Sequence, residues 1–187
     1  MTKQRLIMPV LALAAAAACD RSASPVAPTV APSFAVAQLA DGGIAVTGGG
    51  QFEHPTLGTV TFSVNGTQDA DGRAQGRFQQ HWRFADVTFK GDVTCLAVDP
   101  VNRRVWVGGV LTHSNDPDPN PIFQAGADAW FRAVDLGEGQ TEADRITFLG
   151  FEGSAGIITS EEYCQVRLWA DNNDRTWPIS GNLTIRG

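Results

Sequence analysis

The chain has 187 residues, 43% of them hydrophobic and 18% charged, which is the balance of a folded domain with one core rather than of a disordered segment. Its formal net charge is −6 at pH 7. With no cluster of Lys and Arg anywhere, this acidic balance excludes the electrostatic footprint of a nucleic-acid binder.

Residues 1–18 carry Lys3 and Arg5, then the apolar run from Leu6 to Leu13, then five alanines, the three-part layout of a secretory signal peptide. A bilayer-spanning helix needs about 20 apolar residues. This run is shorter and is followed at once by Asp20 and Arg21, so it reads as a leader and not as a lasting span. Ala16-Ala17-Ala18-Cys19 resembles a bacterial lipobox, and that resemblance implies diacylation of the Cys19 sulfur and a new N-terminus there. Each buried acyl methylene contributes about 0.8 kcal/mol, so several chains hold a protein on a membrane. The alternative is cleavage at one of the small-residue sites among the alanines, giving a soluble secreted protein. Residues 19–40 are rich in Ala, Pro and Ser and show no sustained period, the composition of an extended tether.

From residue 41 onward the period is 2. In GTVTFSVNG, residues 58–66, Val60, Phe62 and Val64 alternate with Thr59, Thr61 and Ser63, which predicts a half-buried strand. Further strands are expected at 44–52, 74–84, 86–98, 103–112, 127–135, 145–151, 163–169 and 181–186. Between them lie turn residues, among them Asn65-Gly66, Asp71-Gly72, the proline-laden 114–121 and DNND at 171–174. The fold class is therefore all-β: an antiparallel meander of eight or nine short strands in a domain spanning 41–187. Such a sheet has to protect its edges, and closure into a barrel, with 181–186 pairing back onto 44–52, is favoured over a sandwich.

Three cysteines are present. If the lipid consumes Cys19, Cys95 and Cys164 remain as an even pair in an oxidising compartment and are expected to form a disulfide; the alternative is two separately buried thiols. The loop so closed has about 70 residues, and its closure stabilises by about 4 kcal/mol.

Candidate chemistry is sparse. His54, His81 and His113 lie far apart and no HExxH or CxxC spacing occurs, so no metal site is expected. His81 alternates with Arg77 and Gln79 on a strand face opposite Phe78 and Trp82: a polar outer face, or a ligand contact inside a wet barrel. Ser154 in EGSAG, residues 152–156, lacks the G-x-S-x-G order of a nucleophile elbow. Asp135, Glu138 and Asp144 crowd carboxylates into DLGEGQTEAD, residues 135–144, read as a solvated hairpin or, alternatively, a calcium site of the low-affinity extracellular type. Trp82, Trp106 and Trp130 fall within expected strands, where they serve as core or, with His81, line a pocket for a sugar or apolar ligand.

The triple glycine at 48–50, TFSVN at 61–65, DLGEGQTEAD at 135–144 and SGNLTI at 180–185 together resemble a widespread β-rich domain of exported bacterial proteins, often found after a choice-of-anchor module. The resemblance implies a β-sheet domain at the cell envelope with no established catalysis. On this reading the protein is an envelope lipoprotein with no cofactor, joined to the membrane by its N-terminal lipid. Its β-domain acts as a structural or adhesion module through loops such as 113–122 and 135–144, or alternatively as a small-ligand or glycan-binding barrel with a Trp-lined cavity.

Overall fold

A computed structural model describes residues 42–56, 58–137, 141–169 and 175–187. Nine strands and one short helix follow in chain order: β1 (Ile44–His54), β2 (Gly58–Gln68), β3 (Ala74–Trp82), β4 (Val87–Asp99), β5 (Arg104–Ser114), β6 (Asp128–Val134), β7 (Arg145–Thr147), β8 (Gly150–Phe151), α1 (Ser160–Val166) and β9 (Thr176–Arg186). Every pairing is antiparallel, and β1 through β7 with β9 close into an eight-stranded barrel, with β8 as an extra piece on β6. The expected return of the last strand onto the first is present, with Gly48 opposite Leu183 and Ala45 opposite Arg186. Closure removes the free edges that a meander of this length would otherwise expose.

Alternation sets the inside. Val60, Phe62 and Val64 of β2, Phe78 of β3, Val87, Phe89 and Val93 of β4, and Val105, Val107 and Leu111 of β5 fill the barrel in one cluster. The two-residue period breaks in β4, where a bulge between Val93 and Cys95 shifts the register. Beyond it Leu96 belongs to the interior cluster, whereas Cys95 and Ala97 join a second cluster outside. Two interior positions require glycine: at Gly91 on β4 the Phe78 ring occupies the space a β-carbon would need, and at Gly109 on β5 an added β-carbon would meet the Asp92 backbone carbonyl as well as the Phe78 ring edge, 2.6 Å away. Gly109→Ala is accordingly expected to cost about 2 kcal/mol, read as a lower urea midpoint with an unchanged slope.

The interval 163–169, expected as a strand, is instead the end of a helix, α1, and the segment that follows it. Thr159 caps it: its hydroxyl accepts from the Glu162 amide at 3.1 Å, and the Glu162 carboxylate reaches back to the Ile158 amide at 2.9 Å. This is a variant of the capping box, and Glu161 and Glu162 also complement the helix dipole. The helix lies on the outer face of the barrel wall. There Ala97, Trp106, Trp130, Ile157, Tyr163 and Cys164 form the second core, and Cys95 and Cys164 are joined by a disulfide with Cα atoms 6.3 Å apart. The expected strand 145–151 is split into β7 and β8 by Phe148 and Leu149, and β9 begins at Thr176 rather than at 181.

Candidate aromatic binding site

The strand directions bring a set of rings to one end of the barrel. β1 finishes there at His54 and β3 at Trp82, β9 begins there just before Trp177, and the break after β7 places Phe148 there. Trp82, from β3, and Phe148, from the break after β7 on the opposite side of the ring, meet at 4.3 Å between centroids. Phe148 in turn lies 5.2 Å from His54, His54 lies 4.7 Å from Trp177, and Phe84 stacks on Trp82 at 6.1 Å with 15° between planes. His54, Trp82, Phe148 and Trp177 are each partly exposed, and Phe84 is 48% exposed. Beneath them Phe52, Phe89 and Phe151 are buried. The result is a continuous aromatic rim over a filled interior.

One polar side chain supports this rim. Gln80 is 1% exposed and points into the barrel between Phe78 and Trp82 of the same strand. Its amide nitrogen donates to the Thr147 carbonyl at 3.2 Å, and its oxygen accepts from the Leu149 amide at 3.1 Å and from the Trp82 indole N–H at 3.3 Å. It therefore spans the barrel and satisfies the backbone exactly where the break between β7 and β8 interrupts the ladder; an unsatisfied buried amide or carbonyl there would be costly.

The four residues expected to share a pocket are not gathered together. Trp82 alone belongs to the rim. His81 points outward and sits 3.1 Å from the Asp86 carboxylate. Trp106 and Trp130 lie on the outer wall under α1, where Trp130 stacks on Tyr163 at 5.5 Å. Burial pushes the Tyr163 phenol well above its ordinary pKa, with nearby Arg132 opposing the shift, so the ring packs as a neutral phenol. Asp135 and Asp144 use their oxygens on the chain itself. Asp135 accepts from Arg103 at 2.8 Å, the Gly137 amide at 2.8 Å and the Ile185 amide at 3.2 Å. Asp144 accepts from the Leu136 amide at 2.8 Å and the Leu183 amide at 3.0 Å. Glu138 and Cys19 lie outside the described residues. The Ser154 hydroxyl accepts from the Phe151 amide at 3.2 Å in a loop. Among the described residues no three His, Cys, Asp or Glu side chains are grouped to hold a metal ion.

Sequence reading missed His54, Phe84, Phe148 and Trp177 as rim residues, and Gln80 as their support. The available signal was Gln80, the one amide on the otherwise apolar face of Phe78 and Trp82. Comparison of the chain with protein-family models, curated proteins and solved structures finds no match in any of the three.

Proposed function

We propose that the protein is a non-catalytic binding module of the bacterial envelope, whose barrel holds a glycan by stacking sugar rings on its aromatic end. The observation that carries this reading is the run of partly exposed rings from His54 through Trp177, Phe148 and Trp82 to Phe84. Rigid aromatic faces offer large contact area at little entropic cost, and the C–H face of a pyranose is apolar enough to lie on them. The interior beneath is filled by side chains, so the ligand rests on the rim rather than inside a cavity. The disulfide supports export, because such bonds persist in oxidising compartments. The leader and Cys19 supply the route and the lipid anchor. The barrel begins at Ile44, at the end opposite the rim.

Titrating a library of glycans while following tryptophan fluorescence tests the site. A subset is expected to shift the emission, and Trp82→Ala and Trp177→Ala are each expected to weaken that binding about tenfold or more, since stacked aromatics contribute at this level. A library without a responder, or a responder indifferent to both substitutions, overturns the reading. The anchor is tested separately by palmitate labelling of the native cell, where the label is expected in the membrane fraction and is expected to vanish in Cys19→Ala.

A further inference from the structure

A concave surface lies on the outer wall, away from the aromatic rim. The groove measures about 530 Å3 and is lined by Asp99, Pro100, Arg104, Trp106, Arg167 and Trp169. That volume is within the range of small-molecule sites, about 300–1,000 Å3. Trp106 is only 3% exposed and lies at right angles to Trp169, 5.6 Å away. The Arg104 guanidinium lies 4.7 Å from the centre of the Trp169 ring, and that of Arg132 lies 5.2 Å from it.

The wall that carries Arg167 and Trp169 is held in place. The Leu168 carbonyl accepts from the Trp106 indole at 2.9 Å and from Arg132 at 3.2 Å, and Arg167 Nε donates to the Cys164 carbonyl at 3.3 Å. Cys164 is in turn bonded to Cys95 of β4. The groove is thus built before any ligand arrives, which lowers the ordering cost of binding.

Its charge runs against that of the whole chain, which is −6. Arg104 and Arg167 form no ion pair among the described residues. The carboxylate lining the groove, Asp99, is committed to its own hairpin turn, accepting from the Val101 and Asn102 amides at 3.1 Å each and from the Asn102 side chain at 2.6 Å. These bonds, with a smaller contribution from the nearby Arg104 guanidinium, hold its pKa below the usual value, so Asp99 stays charged at the edge of the groove. One guanidinium at an indole, Arg104 at Trp169, and a second, Arg167, lining the same groove suit a ligand that has a ring and a carboxylate, because a guanidinium fork pairs with a carboxylate through two parallel hydrogen bonds. A planar bilayer does not reach the buried Trp106 floor.

We propose that this groove binds an acidic sugar, with its carboxylate on Arg104 and Arg167 and its ring against Trp169. The probe is a trimer of galacturonic acid, titrated into the full-length protein by calorimetry and compared with the neutral galactose trimer and with anionic phospholipid vesicles. Saturable binding of the acidic trimer, at least about tenfold tighter than the neutral one, is expected, and Arg104→Gln and Arg167→Gln are each expected to weaken it by about tenfold or more, because charge-assisted hydrogen bonds are lost. Arg167 is exposed and Arg104 half-buried, and thermal melting checks that the variants stay folded. Trp82→Ala is expected to leave this binding unchanged, which separates the groove from the aromatic rim. Equal affinity for the neutral trimer, indifference to both arginine substitutions, or binding of the vesicles in place of the acidic trimer overturns the proposal.

Discussion

Gln80→Met is expected to destabilise the barrel by about 4 kcal/mol, seen as a large fall in the urea midpoint with little change in slope. Methionine nearly matches the volume of glutamine, so the loss reports the hydrogen bonds and not a cavity. In the variant the Thr147 carbonyl, the Leu149 amide and the Trp82 indole each lose the partner that Gln80 supplies. Each such group left unsatisfied in a buried site costs about 1–3 kcal/mol, reduced where water enters. A small domain has only about 5–15 kcal/mol in all, so this one amide accounts for a large share. The same change is expected to loosen Phe148 and with it the aromatic rim. A midpoint within experimental error of the wild type would show that the break between β7 and β8 is held by something else.

The paired substitution of Cys95→Ala with Cys164→Ala is expected to lower stability by about 4 kcal/mol, the loop-entropy value for a bridge between residues 69 apart. The loss falls unevenly. The barrel keeps its closed ring of strands, while α1 loses the covalent tie that holds it to the wall over Trp106 and Trp130. Far-ultraviolet dichroism at low denaturant is therefore expected to persist, and the near-ultraviolet signal of Trp106, Trp130 and Tyr163 to weaken. Because Arg167 and Trp169 follow directly after α1, binding in the groove is expected to weaken along with it. An unchanged midpoint with an unchanged near-ultraviolet spectrum would mean that packing alone positions the helix.

The barrel is legible in the sequence because each long strand buries one face, and burial of one face writes a period of two into residues such as Val60, Phe62 and Val64. The disulfide is legible by counting thiols. The helix is harder to read, since a seven-residue segment cannot display a 3.6-residue repeat and YCQVRLW alternates well enough to pass for a strand. Its capping signal, Thr159 followed by Glu162, is nevertheless in the chain. The tryptophans mislead for a different reason. Where a helix covers the outer wall, both faces of β5 and β6 are apolar, and Val105-Trp106-Val107 or Ala129-Trp130-Phe131 does not say which face is the interior. The bulge beside Cys95 adds to this by reversing the phase midway along β4. The aromatic rim is assembled from four distant segments, and the association of His54 with Phe148 and Trp177 exists only once the ring has closed.

The pairing of β1 with β9 has a kinetic consequence. The first strand finds its second neighbour only when β9, Thr176–Arg186, has been made, so the ring closes last. Contacts of such long sequence separation slow folding, and until then Ile44–His54 presents an unpaired border to other chains. Completion of the ring is therefore the step that removes the border of β1 as a template for pairing with other chains.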